Sequence, residues 1–198
     1  MKKTLQQQRY EFTRQAIIKT AREIIATDGA KGLTARKLAD AVGYSPANIY
    51  KYFENMDEVL DAVRQEGWQQ YATMQAEIDL EGLSPLEHLI ELGHVLQRFA
   101  EQYPQHYLLM HASADAPALS TEDLLADEGH RGLVSLVERI VASGELKLRG
   151  YTPTQLALHI WFLSHGIAML KITLMREDER FKELSEGVLM AFVNSLRA

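Results

Sequence analysis

Side chains suited to contacting a nucleic acid lie close together between residues 34 and 51. Asn48 carries an amide that can pair with adenine in the major groove, and Ala47 is small enough to allow close approach of the backbone. Hydroxyl and cationic side chains in the same stretch can hold phosphates. The predicted contact set is Thr34, Arg36, Ser45, Pro46, Ala47, Asn48, Tyr50 and Lys51. These residue types predict binding of double-stranded DNA.

Motifs for other chemistry are absent from the sequence. The 198 residues include no cysteine, which excludes disulfides, thiolate nucleophiles and cysteine-based zinc sites. The seven histidines never share the three- or four-residue spacing of two metal ligands on one helix face, and no HExxH motif occurs. A G-x-S-x-G motif and a phosphate-binding loop are also missing. We therefore expect no catalytic residue, no metal site, no cofactor and no enzyme activity.

The contact set must be positioned by short helices, and their boundaries are marked in the sequence. A first helix presents an apolar face and ends before Gly29, which is free to adopt a left-handed conformation. Thr34 is a typical N-cap for a second helix, and Gly43 ends that helix. The predicted inner face of the first helix consists of Phe12, Ala16, Ile17, Thr20, Ala21, Ile24 and Ile25.

A third helix is expected from Pro46 to Phe53. Ser45 is a candidate N-cap, and proline is favoured at the first position of a helix. Ile49 and Phe53 share one face and are expected to pack inward, which leaves the opposite face exposed. Two short helices joined by a turn at Gly43 predict a helix-turn-helix whose second helix enters the major groove.

This stretch resembles the TetR family of repressors. The likeness covers about residues 10 to 64 and is strongest in LTARKLADAVGYSPANIYKYFENMDEVL, which has the family's Thr-capped second helix, A-x-x-x-G turn and terminal [LI]-Y-x-x-F. The resemblance implies that Pro46, Ala47 and Asn48 meet bases, and that Thr34, Tyr50 and Lys51 meet the DNA backbone.

Three positions depart from the family pattern. Met56 stands where the family usually has a lysine that contacts phosphate, although a helix N-terminus can still attract an anion. Tyr52 often corresponds to histidine, and Glu54 lies where lysine or arginine is frequent. A carboxylate at Glu54 would repel DNA if it pointed there, so we expect either a modest affinity for DNA or compensation by Arg36 and the basic N-terminal tail.

Charge is distributed unevenly along the chain. The net charge is −6, but residues 1–54 hold ten Lys or Arg against five Asp or Glu. The remaining residues hold eleven basic and twenty-two acidic side chains. A basic N-terminal part on an acidic body suggests that only the first part approaches phosphate. No apolar segment follows the lysines at the start of the chain, so a signal peptide is not expected.

Residues 55–198 are expected to form a larger helical domain, separate from a DNA-binding domain over residues 1–54. A capping box at Asn55 predicts a long helix to about Asp79, shared by both domains. Further helix starts are expected at Ser84 and Thr152, which also begin capping boxes, and at Pro104. The sequence predicts a loop over residues 113–121, one helix over residues 122–141 and a turn region over residues 143–150. The chain should therefore be all-α.

The larger domain contains candidates for a small-molecule pocket. Such pockets are mainly apolar with a few polar groups, although aromatic residues at helical spacing also fill ordinary cores. The candidates are Trp68, Tyr71, Phe99, Tyr103, Tyr107, Met110, His111, Trp161 and His165. The segment from Trp161 to Gly166 also resembles the Trp…His-Gly signature of one group of TetR C-terminal domains.

The last two helices are candidates for a homodimer interface. The helix after Thr152 is apolar nearly all round, which indicates burial on every side. A membrane span is the weaker alternative, because His159, Ser164, His165 and Lys171 interrupt it. Two such helices from each of two chains would form a four-helix interface. The predicted interface residues are Leu158, Phe162, Met169, Leu189, Phe192 and Val193.

The sequence thus predicts a cytoplasmic, ligand-responsive regulator of transcription that binds a near-palindromic operator as a homodimer, with repression as the expected sign. Two alternatives stay open. The body could bind another protein instead of a small molecule, or it could be an enzyme fused to a DNA-binding domain. A thermal-shift ligand screen without hits would favour the first alternative, and an ordered acid–base pair in a cleft would favour the second.

Overall fold

A computed structural model describes residues 4–111 and 120–197 of the chain. The described residues form ten α-helices, and they contain no strand beyond an isolated bridge between Leu146 and Arg197. The all-α prediction is confirmed. The helices are α1 Leu5–Asp28, α2 Ala35–Val42, α3 Pro46–Ile49, α4 Met56–Ala76, α5 Pro85–Gln102, α6 Pro104–His111, α7 Thr121–Ala126, α8 Glu128–Ala142, α9 Pro153–Thr173 and α10 Arg180–Leu196.

The chain divides into two compact units. The described part of the first unit consists of residues 4–72 and 103–111, and that of the second consists of residues 73–102 and 120–197. Most of α4 and all of α6 therefore belong to the unit that holds the N-terminal helices. The functional division between residues 54 and 55 stays a prediction.

The first unit has a core built around one face of α1. Its buried residues in α1 begin at Ile17 and continue to Ile25, and they pack with residues of α2, α3, α4 and α6. Phe12 was predicted on this face, but it is 79% exposed. The apolar periodicity thus begins before the buried part of α1 does. From the other elements, the core includes Leu38, Ala39, Ile49, Phe53, Val59, Val63 and Leu109.

The connection after α1 is tighter than the sequence suggests. Gly29 has a φ of +73°, as expected for a glycine that ends a helix, but its ψ of 172° is not that of the left-handed helical region. A short 3₁₀ helix, Ala30–Gly32, follows at once. Leu33 then joins the core and starts the approach to α2.

The second unit has a core in which α5, α8 and α9 pack together, with α10 against α9. The capping boxes predicted for α5 and α9 are confirmed. The Glu87 N–H donates to Ser84 Oγ at 3.3 Å and the Glu87 carboxylate accepts from the Ser84 N–H at 2.8 Å. Both bonds of the corresponding pair join Thr152 and Gln155 at the start of α9. The core residues are Leu86, Leu89, Leu136, Val137, Ile140, Leu146, Leu156, Ala157 and Leu196.

Two predicted helices have different bounds in the structure. The long helix α4 ends at Ala76 rather than near Asp79. The segment predicted as one helix over residues 122–141 is two, because Asp127 adopts extended backbone and its carboxylate accepts a hydrogen bond from the His130 N–H at 3.0 Å. The expected loop over residues 113–121 lies outside the described residues except for Ser120, which caps α7, and Thr121.

Helix α9 is exposed on part of its surface within the single chain, and the expected burial on every side, which included a second chain, stays a prediction. Phe162 is 55% exposed, and Leu170 is exposed as well. Among the described helices, α9 alone is long and apolar enough to cross a membrane, with a mean hydropathy of 1.3. Length and composition do not separate such a span from a core helix, and α9 packs against α5 and α8.

Candidate nucleic-acid interface

The turn between α2 and α3 is fixed by its caps. Thr34 Oγ1 accepts a hydrogen bond from the Lys37 N–H at 3.2 Å, so the predicted N-cap of α2 is confirmed. Gly43 ends α2 in the left-handed conformation, with φ of +77° and ψ of 32°. Leu38 and Ala39 bury the inner face of α2. This second helix thus provides a fixed support for the one that follows.

Helix α3 is much shorter than predicted. It spans Pro46–Ile49, and the chain then continues as a turn to Phe53. The N–H groups of Lys51 and Tyr52 donate to carbonyls three residues earlier, at 3.2 and 2.9 Å, which tightens the backbone beyond the α-helical pattern. Ser45 occupies the N-cap position, but its side chain makes no capping bond. The Ser45 hydroxyl is therefore not used by the helix.

Two buried apolar side chains anchor this short element. Ile49 and Phe53 are both almost fully buried in the core of the first unit, as the sequence predicted. Ala47 and Lys51 are exposed, and Asn48 is half-buried. The anchors therefore hold one side of the element in the protein and leave these three residues toward the outside. An arrangement of this kind can place an amide and a cation against a DNA groove.

The residues predicted to contact phosphate, and their neighbour Lys37, differ in exposure and in how closely they pair with a carboxylate. Arg36 is exposed, and its guanidinium lies 4.0 Å from the Asp40 carboxylate one helical turn away. Tyr50 is also exposed. Lys37, by contrast, donates to Asp28 Oδ2 at 2.7 Å, although it lies next to Arg36 in sequence. Exposed pairs such as Arg36 with Asp40 are weak, so Arg36 can exchange its partner for a phosphate.

An ion pair behind α3 links three elements, and sequence reasoning missed it. Arg14 lies 4.6 Å above the Phe53 ring and pairs with Glu58 at 3.2 Å. The Glu58 carboxylate also accepts the Glu54 N–H at 2.7 Å, and the Glu58 N–H donates to Asn55 Oδ1 at 2.8 Å. The predicted capping interaction of Asn55 is thus present, but Glu58 returns to Glu54 rather than to Asn55. The Glu54 hydrogen bond, with the help of Arg14, lowers the pKa of Glu58.

A second pair repeats the first one two helical turns further along. Arg22 and Glu66 lie 3.2 Å apart, and each is eight residues beyond its counterpart in the first pair. Arginines eight residues apart on α1 and glutamates eight residues apart on α4 form a matching pattern. That pattern could have revealed both contacts from the sequence.

The residues that depart from the family pattern have clear structural positions. Met56 is partly buried against the core of the first unit. The ring of Tyr52 lies 4.9 Å from that of Tyr10, whose hydroxyl donates to the Tyr52 carbonyl at 3.4 Å. Glu54 is exposed. Met56 and Tyr52 therefore serve packing within the unit.

The first unit brings together part of the predicted pocket set. The imidazole of His111 lies 5.2 Å from the Trp68 ring and 4.7 Å from the Tyr107 ring. Burial lowers the pKa of His111 to about 4, so its ring is neutral at pH 7. Burial also raises the pKa of Tyr71 to about 12. Tyr103 stacks edge-on against His106 at 6.0 Å.

Helices α4 and α6 approach closely at this cluster. A Cβ added to Gly67 would lie 2.7 Å from Met110 Sδ and 3.3 Å from the His106 ring. Arg64 Nε donates to the Leu109 carbonyl at 3.1 Å in the same region. Met110 therefore fills space that is open because residue 67 has no side chain.

The second unit holds the other predicted pocket residues and a separate cavity. Trp161 and His165 have ring centroids 4.4 Å apart, and Phe99 is buried. The cavity has a volume of about 310 Å³, and no predicted pocket residue lines it. Its lining consists of Leu125, His130, Arg131, Val134, Ser135, Glu138 and Thr154. Within the described residues, no group of three or more His, Asp or Glu could hold a metal ion.

Comparison with known proteins places the N-terminal helices in a family. Residues 17–63 match the family model for bacterial regulatory proteins of the tetR family. A stretch of 53 residues is 38% identical to tetracycline repressor protein class C of Escherichia coli, covering 27% of this chain and 24% of that protein. This chain therefore aligns with about a quarter of the length of that repressor.

Solved structures extend the likeness to the whole fold. A structure that explains control of antibiotic production by a bacterial hormone has a TM-score of 0.68 and 24% identity, over 99% of this chain and 100% of that one. A protein from Shewanella sp. PV-4 described as a tetR-family transcription regulator has a TM-score of 0.67 and 18% identity, over 93% and 98% of the two chains. At these identities the likeness concerns the fold.

The described residues define the class as an all-α protein with a helix-turn-helix in its first unit. Over residues 17–63 the chain is similar to the tetR family of bacterial regulatory proteins, and the likeness to the solved structures over the rest of the chain concerns the fold alone.

Proposed function

We propose that this protein is a cytoplasmic, ligand-responsive repressor that binds a near-palindromic operator as a homodimer. The observation that carries the proposal is the short α3 element, with Ile49 and Phe53 buried behind it and Ala47 and Lys51 exposed in front. Repression is proposed because the curated relative that matches the N-terminal helices is a repressor.

The contact residues are proposed to divide into two groups. Pro46, Ala47 and Asn48 read base edges, with the Asn48 amide pairing with adenine. The groups that hold the DNA backbone, and thereby fix the register of the protein on the duplex, are Thr34, Arg36, Ser45, Tyr50 and Lys51. The Ser45 hydroxyl supports this assignment because no capping bond uses it.

Homodimerisation is proposed through α9 and α10. Leu158, Phe162 and Met169 recur at spacings of four and seven on α9, and the exposed Phe162 lies at the centre of that row. On α10, Leu189, Phe192 and Val193 are only partly buried in the single chain. A twofold dimer would present two recognition elements about 34–36 Å apart, one helical turn of DNA.

The effector is proposed to be a small molecule bound among the predicted aromatic and histidine side chains. The cluster of Trp68, Tyr107 and His111 supports this assignment because it combines aromatic faces with a neutral imidazole. To switch the regulator almost completely, the effector must prefer one conformation by roughly 5.5 kcal/mol. The second candidate function, a body that binds another protein, needs no such pocket.

The DNA-binding proposal is tested with two substitutions on an operator selected from random duplexes by the purified protein. Asn48→Ala should reduce discrimination against a changed adenine by about 1–3 kcal/mol. Lys51→Ala should weaken binding to all duplexes alike and reduce the salt slope of log K by about 1. Fluorescence anisotropy at several salt concentrations measures both effects.

Lys182→Ala is the matched control, because Lys182 is an exposed lysine on α10 in the second unit. It should change neither base preference nor salt slope. If Asn48→Ala and Lys51→Ala also leave both quantities unchanged, the proposed DNA interface is wrong.

A further inference from the structure

His130 is a buried histidine whose ring lacks the partners that an imidazole requires. The residue is only 5% exposed, and within the described part of the chain neither Nδ1 nor Nε2 has a hydrogen-bond partner. A neutral imidazole carries one donor and one acceptor. Leaving such groups buried and unsatisfied is unfavourable. The position therefore calls for a polar partner from outside the described residues.

The surroundings of His130 form a hollow rather than a packed core. Its backbone is fixed, because the His130 N–H donates to the capping carboxylate of Asp127 at the start of α8. His130 is one of the residues that line a solvent-open cavity of about 310 Å³, to which α7, α8 and α9 all contribute, although its two ring nitrogens are buried. This volume lies at the lower end of the range of small-molecule sites, about 300–1,000 Å³.

Apart from Leu125 and Val134, the other residues that line the hollow are polar. Arg131, Ser135, Glu138 and Thr154 all line the hollow. The side chains of these four residues make no hydrogen bond or ion pair with any other described residue. Arg131 and Glu138 are seven residues apart on α8, so they lie on one side of the helix about 10 Å apart along its axis. The hollow therefore has a cationic end and an anionic end, with the hydroxyls and His130 as further polar groups.

We propose that this hollow is a binding site for a small zwitterion with a carboxylate at one end and an ammonium group at the other. The carboxylate pairs with the Arg131 guanidinium, and the ammonium group pairs with Glu138. A simple anion would be repelled by Glu138 and a simple cation by Arg131, whereas a zwitterion satisfies both. A polar atom of the ligand bonds the His130 ring after the ring turns toward the hollow. This site is independent of DNA binding and of the aromatic cluster around His111.

The test uses 6-aminohexanoate as the probe, since its two charges are separated by a flexible chain that can span the hollow. Titration calorimetry of the full-length protein should show binding at millimolar concentration. Hexanoate and hexylamine, which each lack one charge, should bind about tenfold more weakly. The ring resonances of His130 in ¹H–¹⁵N NMR spectra should shift on addition of 6-aminohexanoate.

Substitutions assign the two ends of the site. Arg131→Gln should weaken binding of 6-aminohexanoate and hexanoate but not of hexylamine, and Glu138→Gln should show the opposite selectivity. His130→Phe should weaken binding of 6-aminohexanoate while keeping the fold, because phenylalanine fills the same space without unsatisfied nitrogens. Arg98→Gln, an exposed arginine on α5 outside the hollow, is the matched control. Circular dichroism spectra confirm that each variant is folded.

Several results would overturn the proposal. One is the absence of binding of 6-aminohexanoate at millimolar concentration. Another is binding that Arg131→Gln and Glu138→Gln leave as unaffected as Arg98→Gln does, since the probe would then lie elsewhere. A His130 ring whose resonances do not move in the bound protein would equally contradict it.

Discussion

Glu58 joins more partners than any other side chain near α3 in the described structure. Its carboxylate binds the Arg14 guanidinium and the Glu54 backbone N–H, and its own N–H is bound by Asn55. Arg14 in turn covers the ring of Phe53, an anchor of the recognition element. Because both charged groups are more than a quarter exposed, the ion pair itself contributes at most about 1 kcal/mol. Its main effect is to fix the chain where α3 leads into α4.

Glu58→Gln should change how stability depends on pH. The folded pKa of Glu58 is below its usual value of 4.5, mainly because of the Glu54 hydrogen bond and then Arg14. The folded protein therefore binds the proton more weakly than the unfolded chain, and the contribution of Glu58 is present above pH 4.5 and lost as the pH falls. We expect the variant to be less stable at pH 7 by at most about 1 kcal/mol and to lose less stability between pH 6 and pH 3.

Urea unfolding at several pH values measures this difference. Glu81→Gln, in the exposed turn before α5, serves as the control and should unfold like the parent protein. Identical pH profiles for Glu58→Gln and the parent protein would show that the Glu58 network does not stabilise the fold.

At the scale of the helices, the residues at which several helices begin could be predicted from the sequence, but the lengths of the helices could not. A capping residue acts on backbone groups two or three positions away, so Thr34, Ser84 and Thr152 could be identified from the sequence alone. The length of α3 depends on how the chain turns to bring Phe53 into the core, which is a tertiary constraint. The helix break at Asp127 could not be predicted for a similar reason. An aspartate inside a segment with helical periodicity can either face solvent or begin a new helix.

The close approach of α4 and α6 predicts opposite effects for two glycine substitutions. Gly67→Ala would bring its methyl group to 2.7 Å from Met110 Sδ, so Met110 must move within a packed cluster. We expect this substitution to lower the free energy of unfolding by about 1–3 kcal/mol. Gly93→Ala, in the middle of α5 with no atom within 4 Å of the added carbon, should instead stabilise by up to about 1 kcal/mol.

Thermal unfolding followed by circular dichroism compares the two variants. An increase in melting temperature for Gly67→Ala equal to that for Gly93→Ala would contradict the close approach of α4 and α6. The same comparison tests whether Met110 can serve as part of a flexible pocket wall, since a mobile Met110 would accept the new methyl group at little cost.

At the scale of the whole molecule, the helical class and the stretch proposed to contact DNA could be predicted from the sequence, but the cavity could not. The proposed contact residues all lie within the eighteen residues from Thr34 to Lys51, so their grouping needs little tertiary information. The hollow around His130 combines residues of α7, α8 and α9, which only the tertiary structure brings together. From the sequence, His130 could not be distinguished from an ordinary core histidine. The predicted division of charge between the N-terminal part and the body remains a reason to expect salt-sensitive DNA binding.

The proposed dimer makes stability depend on protein concentration. If α9 and α10 bury their exposed apolar side chains against a second copy, association stabilises the folded chain by mass action, and the melting temperature rises with protein concentration. Phe162→Glu places a charge in the proposed interface and should yield a monomer by sedimentation velocity, with a melting temperature that no longer depends on concentration.

Leu80→Glu, which changes another exposed apolar residue in the loop before α5, is the matched control and should leave the dimer intact. A parent protein that sediments as a monomer would contradict the dimer, and equal behaviour of the two variants would remove Phe162 from its interface. Loss of the dimer in Phe162→Glu should also weaken operator binding, because a single recognition element contacts only half of a palindrome.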